Sequence, residues 1–238
     1  MKRIFILLAL SSSGGPAFAN QEPHQIRVSV QYFSLPLRCL NELLAAEPSS
    51  DAIFHDKVFA LTKEGKAKLL DSNIIVCRTG QKATAESIRE EIYPTETEPS
   101  DGLNGATQTA HALTFWKPNV RPFDAAFQCN FETRNTGMTL EVEPNQADNP
   151  YFIDVSLVPE LVSQTGLITW FEHTDRWGKA DIRTPVFETW RSNTRMTIKS
   201  GSFALVSSIT PKRPLPVPFV ETRILLFVRA DDLGSVLE

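Results

Sequence analysis

The chain has 238 residues and a formal charge of -4, with no basic excess of the kind that a nucleic-acid partner requires. Sixteen prolines against eleven glycines, with many Thr, Val and Ile, point to strands and turns over long helices. The length is sufficient for one or two domains with a sizeable core.

The first residues read as an export signal. Lys2 and Arg3 precede the unbroken apolar run Ile4 to Leu10, and Ala17-Phe18-Ala19 forms an A-x-A cleavage site. Residues 1–19 are therefore expected to be a signal peptide, with residues 20–238 as the mature chain. The apolar run is too short to span a bilayer as a helix. Export makes Cys39, Cys77 and Cys129 relevant to disulfide chemistry. Three cysteines permit one bridge and one free thiol, or three small buried hydrophobes, and the sequence does not fix a pairing.

Ile26 to Tyr32 alternates strictly and predicts a half-buried strand. Pro36 opens a helix to about Ala46, with Leu37, Leu40 and Leu44 on one stripe. A second helix is expected from about Asp56 to Leu70; the alternative is a helix ended by a turn at Glu64-Gly65. Ser72 to Arg78 reads as a strand, Thr79-Gly80-Gln81 as a hairpin turn, and Lys82 to Tyr93 as the returning strand. A long irregular loop is expected over 94–122, rich in Pro, Thr, Glu and Ser. Its acidic residues, with Glu90 and Glu91 before them, read as a solvated run.

Phe131 to Pro144 reads as a strand entered through a tight turn, with Thr139 to Pro144 alternating. Tyr151 to Val158 is a strand, Pro159 marks a bulge or an edge, and Leu167 to Glu172 continues it. Val186 to Ile198 reads as one long strand. Ser200-Gly201-Ser202 turns it into Phe203 to Ile209. A Pro-rich link over Pro211 to Pro218 precedes the last strand, Thr222 to Arg229.

No chemistry-bearing motif stands out. His173 and Asp175 would share a strand face, but no G-x-S-x-G elbow accompanies them, and the Ca²⁺-loop pattern D-x-D-x-D-G is missing. No enzyme activity, metal or cofactor is expected.

Taken in order, these segments resemble the secretin domain, the outer-membrane pore module of type II and III secretion and of type IV pilus systems. The likeness runs from about Ile26 to Ala230. It is carried by the G-Q-x-A turn Gly80, Gln81 and Ala83, and by the G-x-x-L-x-V-x-P strand Gly137, Leu140, Val142 and Pro144. The pair Thr197-Ile198 with Gly201 completes it. The sequence departs from the family where Ser207-Ser208 replaces a Gly-Gly pair and where Pro214 to Phe219 lacks the family's glycines. Those glycines serve the gated inner part of the pore. The sequence also carries no counterpart of the tandem N-terminal ring domains.

The resemblance implies a mainly β (α+β) fold: a secretin-type sheet domain with two short helices packed on one side. It further implies a subunit of an outer-membrane secretion or pilus-type complex, working by assembly and passage. Its partners would be copies of itself or secretion-complex proteins, in the outer membrane or periplasm. The alternative is a soluble periplasmic binding or scaffold protein that keeps the fold without forming a pore. Tyr151 to Trp170 offers the best barrel strands, with Trp170, Phe171 and Trp177 as interfacial aromatics.

Overall fold

The computed structural model describes residues 24–98, 127–172, 174–175, 178–179, 181–212 and 220–235. The signal segment, most of the 94–122 stretch, His173, Trp177 and Pro214 to Phe219 lie outside the described residues. The elements are β1 (His24–Pro36), α1 (Leu37–Ala45), α2 (Asp51–Lys63), β2 (Lys68–Arg78), β3 (Ala83–Glu98), β4 (Phe127–Gln146), β5 (Phe152–Phe171), β6 (Thr174–Asp175), β7 (Gly178–Lys179), β8 (Ile182–Arg191), β9 (Thr194–Lys199), β10 (Phe203–Ile209) and β11 (Thr222–Ser235). The fold is mainly β with two helices, as the sequence implies.

Three layers stack. Sheet one has the order β10-β11-β1-β2. Sheet two has the order β3-β4-β5-β8, with β9 also on β5. All these pairings are antiparallel. Between the sheets, Ile26, Val28, Val30 and Tyr32 of β1 meet Met138, Leu140, Val142, Ile153, Val155 and Leu157. On the far side of sheet one, Phe33, Leu35, Leu225 and Phe227 pack against Leu40, Phe54 and Val58 of the helices. β11 is buried on both faces, which explains its unbroken apolar run Ile224 to Val228.

Tyr32 ties the two sheets with a polar contact. Its hydroxyl donates to the carbonyls of Pro159 at 3.2 Å and Trp190 at 3.3 Å. Burial, with Glu160 nearby, pushes the phenol well above its usual range, so it stays a neutral donor.

Several sequence expectations shift by identifiable causes. The second helix starts earlier than Asp56, because Ser50 caps it: the Ser50 hydroxyl accepts from the Ile53 amide at 3.3 Å. It ends at Lys63, the Glu64-Gly65 alternative, where Gly65 takes φ 73°. The chain then enters β2 four residues before Ser72. The 94–122 loop is not irregular at its start. β3 runs through Pro94 to Glu98, paired with β4 down to Phe127, and Pro94 is tolerated because β3 is an edge strand. The acidic residues Glu90, Glu91 and Glu96 therefore sit on a strand.

Thr79-Gly80-Gln81 is not a hairpin turn. β2 belongs to sheet one and β3 to sheet two, so this turn carries the chain between sheets. Lys199 to Ser202 does the same between β9 and β10. Both have a glycine with positive φ at the third position, Gly80 at 71° and Gly201 at 79°, and both close with an i to i+3 bond of 3.1 Å. These are the features of type II turns, where a side chain at the third position is disfavoured. The expected long strand Val186 to Ile198 is interrupted at Ser192-Asn193, and Phe187 to Arg191 of β8 pair with β5 in the same register as β9.

His55 of α2 is the one titratable ring inside the helix-facing core among the described residues. It stacks on Phe203 at 3.6 Å and meets Phe33 and Phe227 edge-on. Its Nε2–H donates to the Gln31 Oε1 at 2.8 Å. Burial lowers its pKa from the ordinary 6.5; Asp56 opposes that shift and Arg229 adds to it. A lowered folded value means that the unfolded chain binds the proton more readily, so the stability present above pH 6.5 is lost as pH falls below it. Melting temperature measured against pH should therefore drop on acidification below 6.5, and His55→Phe should flatten that segment of the curve. An unchanged slope in the variant would refute the assignment to His55.

Candidate assembly site

The residues singled out in the sequence sort into three places. Gly80, Gln81, Pro144 and Gly201 gather at one end of the sandwich. There the Gly80 amide donates to Pro144 O at 2.8 Å and the Gly201 amide donates to Ala230 O at 2.8 Å. The Thr79 hydroxyl accepts from the Gln146 amide at 2.9 Å, so the crossover is latched to the end of β4. Leu140, Val142 and Ile198 are buried between the sheets, with Ala83 half-buried against them. Thr197 is exposed and its hydroxyl donates to Asp154. None of these residues forms a pocket with reactive groups.

Gly137 stands apart. It is not in a turn, as its surroundings imply in the sequence, but inside the 20-residue strand β4, with φ 113°. A Cβ there would lie 2.1 Å from the Ser87 carbonyl oxygen on the paired strand β3. It also marks where sheet two divides. β4 pairs with β5 from Gln146 up to Gly137, opposite Val162, and no further. Above that level β4 stays with β3 to the Glu98–Phe127 pair, and β5 stays with β8 to Phe171–Ile182. Two hairpin prongs result. They touch through Tyr93 on Phe187, at 5.5 Å between ring centres, and through the Arg134 guanidinium, which donates to Thr189 Oγ1 at 3.1 Å.

The prongs rise past sheet one. The β3–β4 prong runs from Ile88 to Glu98, about 33 Å at ~3.3 Å per residue. Their apolar residues are not covered: Ile88, Ile92, Phe131, Leu167 and Trp170 are between 47% and 69% exposed. This corrects the barrel-strand expectation for Tyr151 to Trp170. Its first half gives Ile153, Val155, Leu157 and Leu161 to the core, and its upper half exposes Leu167, Ile168, Trp170 and Phe171. In the crotch, Glu86, Ile88, Glu90, Asn135, Glu160 and Val162 line an open cleft of about 510 Å³. Pro159 is neither a bulge nor an edge: it sits below the crotch on a strand flanked on both sides, and its carbonyl accepts from the Ser192 amide at 3.2 Å.

Among the described residues there is no group of three or more His, Cys, Asp or Glu placed to hold a metal ion. Asp175 lies in the small β6–β7 hairpin, while its proposed companion His173 lies outside the described residues. Cys39 and Cys77 are free and half-buried, and burial raises the Cys77 thiol. No described helix is long and apolar enough to cross a membrane, which does not bear on strands. The forked sheet was not foreseen. Its only trace in the sequence is Gly137 amid residues that otherwise continue a strand.

No model of a protein family matches the chain, and no curated protein matches it. Its structure is similar to those of secretin domains. The secretin-domain β-barrel of InvG from the Salmonella SPI-1 injectisome is 10% identical, with a TM-score of 0.44 over 90% of this chain and 64% of that one. The type II secretin GspD from enteropathogenic Escherichia coli is 12% identical, with a TM-score of 0.42 over 90% and 70%. The type IV competence pilus secretin PilQ of V. cholerae is 10% identical, with a TM-score of 0.35 over 89% and 58%. The chain thus spans less than two thirds of the length of the InvG structure.

Gly137→Ala tests the fork directly. The added methyl collides with backbone at a φ that side chains rarely adopt, so denaturant unfolding should register a loss of about 3 kcal/mol. Gly166→Ala on β5, where a Cβ meets nothing within 4 Å, serves as the control and should cost well under half of that.

Proposed function

We propose that this chain is an exported subunit of a secretin-like complex of the outer membrane, serving protein secretion or pilus-type transport through assembly, with no chemical step. The observation that carries this reading is the fork: two long hairpins leave a well-packed sandwich and present exposed apolar side chains, Ile88, Ile92 and Phe131 on one and Leu167 and Trp170 on the other. An isolated sheet of this kind is costly in water, because its edges and apolar face lack partners. Lateral closure with other copies supplies the edge bonds, and lipid supplies contact for the apolar face. The ordered motif of Gly80, Gln81, Ala83, Gly137, Leu140, Val142, Pro144, Thr197, Ile198 and Gly201 supports the same reading as an assembly framework. The residues before the described part, with their A-x-A site, support export through a cleaved signal peptide.

A second reading, a soluble periplasmic scaffold with the same fold, draws on the charges among the apolar residues of the prong. Glu86, Glu90 and Glu96 alternate with Ile88 and Ile92 on β3 and are exposed. Charge at a lipid face is unfavourable unless it lies near the interface or points to a lumen.

The two readings part in one experiment. The mature protein is extracted from its native envelope in mild detergent, and its mass is measured without boiling. A ring-sized multimer in the outer-membrane fraction is expected; a monomer or dimer in the soluble fraction would overturn the pore reading. Ile92→Lys combined with Phe131→Lys should release the protein from the membrane while leaving its far-UV circular dichroism intact. Each change costs about 2–4 kcal/mol if it lies at the bilayer midplane. Retention of the variant in the membrane would count against lipid contact by this prong.

A further inference from the structure

We infer that copies of this chain join head to tail through sheet two, with the acidic β3 edge of one copy set against the basic β8–β9 edge of the next. The inference rests on the assembly reading above and specifies its interface.

The two edges of sheet two carry opposite charge on the same face. The face turned from sheet one is marked on β4 by Gly137, Thr139 and Glu141, since Met138, Leu140 and Val142 point inward. Register carries this face across the sheet along the row Glu86, Thr139, Glu160 and Arg191. On β3 it presents Glu86 and Glu90. On β8 and β9 it presents Arg191, Arg195 and Lys199, while Trp190 and Ile198 are buried on the opposite side. All five charged residues are exposed. Arg191 leans on Glu160, with Nε 3.5 Å from its carboxylate. Glu86, Glu90, Arg195 and Lys199 have no ion-pair partner among the described residues.

Topology favours this joint over the alternatives. Successive strands in the order β3-β4-β5-β8 are antiparallel, so β3 and β8 run in opposite directions. A neighbour related by rotation about an axis along the strands places its β3 beside β8 and continues the antiparallel alternation. A two-fold joint would instead set acid against acid, or base against base. Spacing agrees as well. Glu86 and Glu90 lie one helical-sized step apart in sequence, and so do Arg191, Arg195 and Lys199. A neighbour staggered by one such step sets Arg195 beside Glu86 and Arg191 beside Glu90; by two, Arg195 beside Glu90 and Lys199 beside Glu86. Closing a barrel demands stagger of this kind.

The β10 edge of sheet one is treated differently. On β10 the Leu205 amide is held by the Asp51 carboxylate of α2 at 3.0 Å, which blocks strand addition there. Charges on edge strands often serve only to repel other chains. Here each edge is of a single sign on this face, and that segregation attracts the complementary edge of an identical chain.

The test uses two full-length mature chains. One carries Glu86→Lys and Glu90→Lys; the other carries Arg195→Glu and Lys199→Glu. All four positions are exposed, so each chain should keep the circular dichroism of the original. Expressed alone, each should lose at least tenfold of its ring-sized multimer in mild detergent. Expressed together they should regain it, because each reversed edge then meets a reversed partner edge. Single-variant chains that assemble like the original, or a mixture that stays dissociated, would overturn the head-to-tail joint while leaving the assembly reading intact. An unmodified chain that stays monomeric in the membrane extract would overturn both.

Discussion

Everything in this molecule hangs on β1 being buried on both faces. One face gives Ile26, Val28, Val30 and Tyr32 to sheet two, and the other gives Phe33 and Leu35 to the helices. Tyr32 and Phe33 are both fully buried, on opposite faces, and the register with β2 shifts beside them because β2 carries the extra residue Leu70. Consecutive residues of a strand point to opposite faces, so even-numbered β1 residues reach sheet two and odd-numbered ones the helices, and one strand joins three layers. Apolar burial contributes roughly 25 cal/mol per Å², and a strand that buries both faces concentrates that contribution in few residues. Its partner β11 repeats the device with Ile224 to Val228. Changes at these two strands would therefore reach the helices and both sheets together.

Around that axis, two glycine turns and one glycine inside a strand define the chain's path. Gly80 and Gly201 let the chain leave one sheet and enter the other within four residues, on opposite sides of the sandwich. Gly137 does something else. It allows the β3 backbone to approach where a side chain would collide, and at that level β4 parts from β5. The three motif glycines thus act through backbone geometry, whereas Leu140, Val142 and Ile198 act as buried side chains between the sheets.

Much of this was legible in the sequence because the signals were local. The alternation of Ile26 to Tyr32, the turn glycines 80 and 201, and the first helix after Pro36 all follow from periodicity and φ preference. What was not legible depended on contacts distant in sequence. Thr79-Gly80-Gln81 has the chemistry of a turn whether its flanking strands pair with each other or not, so its role as a sheet crossover could not be read. Ser50 can cap a helix, but within Pro48-Ser49-Ser50-Asp51 it reads equally as part of a break, so the helix start at Asp51 is not marked locally. Polar, proline-bearing composition made 94–98 look like loop, although pairing with β4 holds it as strand. The fork has a single sequence trace, and only the Ser87 carbonyl shows what Gly137 is for.

Stability is distributed unevenly as a result. The sandwich buries side chains from two sheets and two helices, whereas each prong has one layer, a single paired neighbour strand and few contacts with the other prong. Segments with little apolar burial and open backbone edges open at low free-energy cost. The prongs are therefore the part of the molecule with the most to gain from a partner, and the sandwich the part with the least. A rigid base that holds two under-packed hairpins at a fixed spacing is suited to joining other chains, since the base orders the edges before contact and reduces the entropy lost on association.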